Sequence, residues 1–238
     1  MASDKKVALI TGANKGIGLE IARQLGRQGI TVVIGSRDPQ RGQAAADTLK
    51  AEGIDTHMVK LEVTDAADRD AALTFLQEQF GRLDILVNNA GVLLDSSEGI
   101  TPESLSKTYD ANVIAPYFLT ETLLPLLKAA PAGRVVHQSS ALGSLATNAS
   151  PDMALVWMLP AYNSSKAALN MLGVIQAATL KDTNVKVNVA HPGSVKTDMN
   201  PGGSLSLEDG AKTAVALATL PDDGPTGGYF HLGETLPW

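Results

Sequence analysis

The chain has 238 residues, a net charge of −6 and 44% apolar residues, enough for one well-buried domain and too short for two ordinary α/β domains. It holds no cysteine, and its four histidines, at 57, 137, 191 and 231, show no metal-ligand spacing, so disulfides and thiolate chemistry are excluded and zinc loses its commonest ligands. No basic run extends beyond Lys5-Lys6, which leaves nucleic acid and anionic membranes no electrostatic footprint; with no stretch of transmembrane length and no signal-peptide core, a cytoplasmic protein is expected.

Val7-Ala8-Leu9-Ile10 is a short apolar run stopping at a glycine turn, the pattern of a strand buried on both faces. From Gly16 to Gln28, Ile17, Ile21, Ala22 and Leu25 repeat with a helical period that Gly29 ends. A second strand is expected at Thr31–Ile34, a helix at Pro39–Glu52 with proline in its first turn, and a third strand at His57–Leu61. A helix over Ala66–Phe80 leads to a fourth strand, Leu83–Val87. The pattern then predicts a long helical region from Glu103 to Lys128, a strand over Arg134–Gln138 and a helix over Tyr162–Leu180. A strand over Val185–Ala190, a helix near Leu207–Thr219 and a short strand at Gly228–Phe230 close the chain.

Repeated β–α units imply a single α/β domain over 1–238. It would be a doubly wound parallel sheet of about seven strands, with helices on both faces and right-handed crossovers. Such sheets bind ligands at the carboxyl ends of their strands. Gly12–Gly18, Asn88–Gly91, Ser139-Ser140 and Pro192–Thr197 all fall there. The least regular stretch is Gly143–Pro160.

Gly12, Gly16 and Gly18, in Thr11-Gly-Ala-Asn-Lys-Gly-Ile-Gly18, follow a strand and open a helix. Backbone without side chains lets a pyrophosphate approach, and a helix amino terminus favours its charge. Asn14, Lys15 and Ile17 share that turn. The spacing Gly-x-x-x-Gly-x-Gly departs from the Gly-x-Gly-x-x-Gly fingerprint, so an ordinary β–α turn is the competing reading. At the end of the second strand an acidic residue would hold the free ribose hydroxyls of NAD. This chain has Ser36-Arg37 instead. A guanidinium suits a 2′-phosphate, and Lys15 could add a second charge to it, unless both are simply solvated surface cations. Asp38 lies one position beyond and is expected to point elsewhere. The cofactor read from these residues is NADP(H).

Tyr162 and Lys166 lie one helical turn apart on one face. Alone, such a pair is common on surface helices; downstream of a glycine-rich turn it reads as an acid/base pair. Reducing a ketone needs a hydride on carbon and a proton on oxygen. A free tyrosine, with a pKa near ~10, exchanges protons poorly at neutral pH. The Lys166 ammonium is expected to favour the phenolate and lower that value, as is an oxidised nicotinamide. Tyr162 would then act as acid in reduction and base in oxidation. The Ser140 hydroxyl can hold the substrate carbonyl, with the adjacent Ser139 turned the other way by strand alternation.

Thr11–Gly18, Asn88-Asn89-Ala90-Gly91, Asn112, Ser140, Tyr162-x-x-x-Lys166 and Pro192-Gly193-Ser194-Val195-Lys196-Thr197 occur in this order across nearly the whole chain. On these motifs the sequence resembles the short-chain dehydrogenase/reductase family, in its single-domain branch. Asn14-Lys15, Ser36-Arg37, Thr226–Phe230 and the ending Pro237-Trp238 are most similar to the carbonyl-reductase group within it. The resemblance implies a Rossmann-type fold and NADPH-dependent reduction of ketones or aldehydes. It implies that Lys166 also holds the nicotinamide ribose, and that Asn112 distorts its helix so that its carbonyl holds a water joining Lys166 to solvent. It selects Ser140 over Ser139, because Ser140 precedes x-x-Gly. It sets Asn89, Ala90 and Gly91 beside the adenosine ribose, and Pro192, Gly193, Val195 and Thr197 against the nicotinamide amide and phosphates. Glu62-Val63 stands where Asp-Val beside adenine is usual. His137 and His191 are read as structural.

Ser140 and Tyr162 are 22 positions apart, wider than the resemblance leads one to expect. The extra residues, in Gly143–Pro160, include Met153, Leu155, Val156, Trp157, Met158 and Leu159. They form either a wall or lid for a hydrophobic substrate or a packed surface loop. Leu93, Leu94, Leu142, Trp157 and Met199 are candidates for lining the pocket of a small hydrophobic carbonyl substrate. Two other functions compete: an NADP-dependent dehydrogenase oxidising a secondary alcohol, polyol or steroid, and a non-catalytic NADP sensor, although sensors usually lose the Tyr or the Lys. A homo-oligomer, dimer or tetramer, is the expected assembly, with a monomer the alternative if the insert covers the pairing face.

Overall fold

The computed structural model describes residues 5–96, 98–151 and 158–238. Its strands are β1 (Val7–Thr11), β2 (Thr31–Ser36), β3 (Thr56–Lys60), β4 (Ile85–Asn88), β5 (Gly133–Gln138), β6 (Val185–Ala190), β7 (Tyr229–His231) and β8 (Glu234–Thr235). The helices are α1 (Gly16–Arg27), α2 (Pro39–Ala51), α3 (Ala66–Phe80), α4 (Pro102–Tyr109), α5 (Ala115–Ala129), α6 (Leu145–Asn148), α7 (Pro160–Thr179) and α8 (Leu207–Ala218). All eight strands form one sheet in the order β3-β2-β1-β4-β5-β6-β7-β8, parallel except for the last pair. The order reverses between β1 and β4, the switch point where doubly wound sheets open a crevice at their carboxyl ends.

Every residue of β1, β2, β4 and β5 is buried, as strands covered by helices on both faces are. On one face Ile10, Val87, Val136 and Ala190 pack against Ile21, Leu25, Ala211 and Ala214 of α1 and α8. On the other, Leu9, Leu86 and Val135 pack against Leu76 of α3, Leu119 and Leu123 of α5 and Ala177 of α7. Several helix ends follow local chemistry. Asp38 caps α2 by accepting from the N–H groups of Gln40 and Arg41, which also settles where Asp38 points. Gly81, at φ 70°, ends α3 in the left-handed conformation.

Two differences from the sequence reading have plain causes. The sheet has eight strands rather than about seven, because β8 is two exposed residues after a turn through Leu232 and Gly233. Two residues are too few to show alternation. The helical region expected as one unit over Glu103–Lys128 is broken, at the Asn112 where the resemblance implied a distortion, by a π-helical turn, Asp110–Ile114, in which the Ala115 N–H reaches back five residues to the Asp110 carbonyl. Pro116 follows, and it has no N–H to give the carbonyl four residues back, that of Asn112.

Candidate active site

The glycine turn after β1 has the shape of a phosphate cradle. Gly12 and Gly16 have φ of 63° and 60°, a region that residues with a Cβ rarely adopt. A Cβ on Gly18 would run into the Asn89 side chain and the Gly12 carbonyl, whereas one on Gly16 would meet nothing within 4 Å. No side chain caps α1 and its first turn holds no acidic residue, so its leading N–H groups and positive dipole end stay available to an anion. The second loop braces this turn. The Asn89 Nδ2 donates to the Thr11 carbonyl (2.8 Å), while the N–H groups of Asn89 and Ala90 donate to Thr11 Oγ1 at 3.0 and 2.9 Å. These residues fit a dinucleotide phosphate.

At the end of β2, Ser36 is buried and donates to the Asp38 carbonyl at 2.8 Å. Arg37 is exposed, and Asp38 is occupied with its helix and with Arg41 at 3.4 Å. Lys15 pairs with Asp198 at 2.5 Å, joining the glycine turn to the loop after β6. Among the other residues read as cofactor contacts, Val63 is buried in the core, and Glu62 accepts from the Thr64 hydroxyl at 3.1 Å. Asn14 and Ile17 are half-buried, as are Pro192, Gly193 and Thr197. Gly193 has φ 84°, and Val195 is buried against Gly210 of α8.

The four catalytic candidates come together. Asn112, buried in the π turn, exchanges two hydrogen bonds with the backbone of Val92 (2.8 and 2.9 Å) and donates a third to Ser165 Oγ at 3.0 Å. Ser140 leaves β5 and caps a short 3₁₀ turn, Ala141–Gly143. Its hydroxyl lies close enough to that of Tyr162 to favour the phenolate. Ser139 instead donates to Asn170 at 2.6 Å. The Lys166 ammonium, buried, donates to the Gln138 carbonyl at 2.8 Å and lies 5.6 Å from the centre of the Tyr162 ring. Gly91 fits closely here: an added Cβ would stand 3.1 Å from Asn112 Oδ1 and 3.6 Å from Lys166 Nζ.

The electrostatics correct one expectation. The Tyr162 pKa lies above its ordinary value rather than below it. Burial pushes the phenol up to about 12, with the Ser140 hydroxyl opposing, and lowers the Lys166 ammonium to about 8. Enclosure disfavours the charged form of each, and the ammonium faces the ring and the Gln138 carbonyl. Buried His137 bonds to Gln176 and Asn88 at 2.9 and 3.3 Å and is lowered to about 4 by burial. His191 Nδ1 accepts from the Ala141 N–H at 3.1 Å, beside Ser140, and is lowered by burial to about 4 as well.

The residues proposed to line the pocket differ in exposure. Leu93 and Leu142 are half-buried, Leu94 and Met199 are exposed, and Trp157 lies outside the described residues, with Met153, Leu155 and Val156. Two apolar depressions flank the start of α7. One, of about 480 Å³, is lined by Ile100, Pro102, Leu105, Tyr109 and Pro160 among others. The other, of about 300 Å³, is lined by Leu145, Asn148, Met158, Leu159, Asn163 and Ala167 among others. Neither is lined by Leu93, Leu94, Leu142 or Met199. Among the described residues no cluster of His, Asp or Glu could hold a metal.

Sequence reasoning missed the roles of three residues, two of which, Tyr229 and Trp238, it had singled out only as part of the resemblance. Asp95 accepts from the N–H groups of Ala161 and Tyr162, both at 3.0 Å, supplying the cap that Leu159 cannot give α7. The Tyr229 hydroxyl donates to the Ser140 carbonyl at 2.6 Å, and Trp238 stacks on its ring at 5.4 Å. These contacts join segments 67 and 89 residues apart, and no local pattern announces them.

Comparison with known proteins bears on this arrangement. Residues 6–204 match the profile of the short chain dehydrogenase family. The chain is 36% identical to Homo sapiens carbonyl reductase (NADPH) 3, covering 100% of both chains. It is 34% identical to the (+)-neomenthol dehydrogenase of Arabidopsis thaliana, covering 94% of this chain and 95% of that one. The crystal structure of an NADPH-bound carbonyl reductase from chicken fatty liver superposes with a TM-score of 0.85 at 30% identity, covering 98% of this chain and 99% of the other.

Proposed function

The chain belongs to the short chain dehydrogenase family, and from that premise we propose that it is an NADPH-dependent carbonyl reductase. It turns ketones or aldehydes into alcohols with Tyr162 as general acid. The observation that carries this reading is the meeting of Ser140, Tyr162 and Lys166 at the carboxyl edge of the sheet that also holds the glycine cradle.

NADPH, when bound, supplies the hydride. The glycine turn and the amino terminus of α1 hold its diphosphate, and Arg37 takes the 2′-phosphate through charge-assisted hydrogen bonds. The hydroxyls of Ser140 and Tyr162 converge on the substrate oxygen and fix the carbonyl for attack. With its pKa raised to about 12, Tyr162 is protonated at neutral pH and ready to donate. As negative charge grows on the substrate oxygen, the phenolic proton moves to it. The Lys166 ammonium beside the ring offsets the charge left on the phenolate. The Asn112 carbonyl, to which Pro116 cannot donate, holds the water through which the proton is restored by way of Lys166. The substrate is small and apolar: among the described residues, no charged side chain lines either depression beside α7, the helix that carries Tyr162.

The working assembly is a homo-oligomer. Exposed Ile114 and Phe118, at the start of α5, and exposed Met171 and Ile175 on α7 supply an apolar face for a second copy. Light scattering behind a sizing column tests this, and a monomer at micromolar concentration rejects it.

The activity is tested by following NADPH and NADH oxidation with aryl ketones, aliphatic aldehydes and keto esters, with Tyr162→Phe alongside. Turnover with NADPH that vanishes in Tyr162→Phe supports the reading. A preference for NADH removes the assignment of Arg37, and undiminished turnover in Tyr162→Phe removes that of Tyr162.

A further inference from the structure

Gln138, the last residue of β5, is 6% exposed, and neither its Oε1 nor its Nε2 has a hydrogen-bond partner among the described residues. An amide buried with both polar ends idle is a costly arrangement. The rest of this region satisfies its polar groups carefully: Asn88, Asn89, Asn112, His137, Ser139 and Asn170 each have a partner. Nor is Gln138 needed for its side chain's sake by Lys166, which bonds to the backbone carbonyl.

The direction of the side chain follows from strand alternation. Val136, two residues earlier, packs in the cluster beneath α1 and α8, so Gln138 points to that same face at the very end of the strand. In register beside it is Ala190, of the same cluster. Above this face the Lys15–Asp198 ion pair joins the loop after β1 to the loop after β6. In the sheet order those two strands enclose β4 and β5, so the ends of β4 and β5 lie between the loops so joined.

A dinucleotide laid along this sheet has little freedom. Its 2′-phosphate belongs at Arg37 after β2 and its diphosphate at the glycine turn after β1. The next strands in order are β4 and β5, where Ser140 and Tyr162 await the reacting carbon. The half that reaches β5 is the nicotinamide riboside. We infer that the Gln138 side chain hydrogen-bonds that half and orients the nicotinamide over the site, an inference that rests on the NADP reading above. An amide offers one acceptor oxygen and two donor hydrogens, which complement the nicotinamide carboxamide and its ribose hydroxyls. Gln138 is thus a positioning and binding residue that leaves the proton transfer itself to Tyr162.

The test measures binding of NADP⁺ and of adenosine 2′,5′-bisphosphate, which keeps the 2′-phosphate and lacks the nicotinamide riboside. Wild type is compared with Gln138→Leu and Gln138→Met, and the melting temperature of each protein is recorded without nucleotide. Losing two neutral hydrogen bonds weakens NADP⁺ on the order of tenfold. Adenosine 2′,5′-bisphosphate binds all three proteins alike, and the melting temperatures of the variants equal or exceed that of wild type. Equal NADP⁺ affinity in wild type and variants overturns the inference. So does a parallel loss of both ligands with lowered melting temperatures, which marks a purely structural side chain. A wild type that binds neither ligand overturns the cofactor reading itself, and this inference with it.

Discussion

The two ends of the proposed cofactor groove are built on different principles. At the nucleotide end, the proposed recognition rests on backbone and on exposed cations. Gly12, Gly16 and Gly18 expose main chain, and Lys15 and Arg37 stand in solvent. At the chemical end Asn112 and Lys166 are buried and Ser140 and Tyr162 half-buried, and each is held by a residue far away in the chain. Asn112 grips Val92, Asp95 caps the helix of Tyr162, and Tyr229 holds the strand end of Ser140. A phosphate is a large, strongly charged target that tolerates mobile partners. Proton transfer needs a hydroxyl fixed within hydrogen-bond reach and an environment that sets its acidity. The contrast predicts that substitutions at the chemical end act on turnover, and those at the nucleotide end on cofactor affinity.

The largest effect follows from removing one oxygen. Tyr162→Phe should lower turnover by about 10²–10⁴-fold, the usual contribution of a positioned acid, while NADPH affinity measured by fluorescence stays within a factor of about two. A large loss of affinity instead would blur the division between the two ends. Arg37→Ala should act in the opposite sense. It should raise the KM for NADPH by about tenfold, a charge-assisted hydrogen bond moderated by exposure, and leave the KM for NADH nearly unchanged. If both cofactors suffer equally, Arg37 does not read the 2′-phosphate.

The same contrast explains what the sequence made legible. β1, β2 and β4 are built on short apolar runs, and the glycine turn, Ser36-Arg37 and Tyr162-x-x-x-Lys166 are each compact stretches of sequence, so each could be read locally. At Asn112 the resemblance implied a distorted helix, and the π turn Asp110–Ile114 lies there; apolar spacing alone gave no sign of it. Pro116 was the visible clue. Asp95 and Tyr229 act across 67 and 89 residues, and such pairs leave no trace in spacing. The direction of the Tyr162 pKa shift was missed for a related reason. The sequence shows that Lys166 is near, but only packing shows that the ammonium faces the ring and a carbonyl while burial dominates.

Acid should expose the chemical end's dependence on its neutral interior. His137 is lowered from its ordinary value of 6.5 to about 4 by burial. Its Nε2 donates to Gln176 Oε1 and its Nδ1 accepts from the Asn88 amide, which also donates to Thr120. A second ring proton would face a donor. The unfolded chain binds that proton below about pH 6.5 and the folded chain only near pH 4, so stability is full above 6.5 and is lost as pH falls toward 4. His191, lowered likewise, adds in the same window. The melting temperature should therefore drop between pH 6.5 and 4, less steeply in His137→Gln than in wild type. Equal slopes would mean that other groups carry the acid sensitivity.

The smallest effect is the sharpest test of how the chemical end is assembled. Asp95 accepts two N–H groups at the first turn of α7, one of them Tyr162's own, both at 3.0 Å. Helix caps are worth about 1 kcal/mol, which in a chain of this length is a shift of about 2–4 °C in Tm. Asp95→Ala should show that shift together with a lower kcat, because the freed turn is the one that aims the catalytic hydroxyl. Asp95→Asn keeps one acceptor oxygen of the two, so its Tm and kcat should fall between those of wild type and Asp95→Ala. A cap that mattered to stability alone would lower Tm in both variants and leave kcat at the assay temperature untouched. The kcat effect therefore separates a residue that aims Tyr162 from one that merely ends a helix.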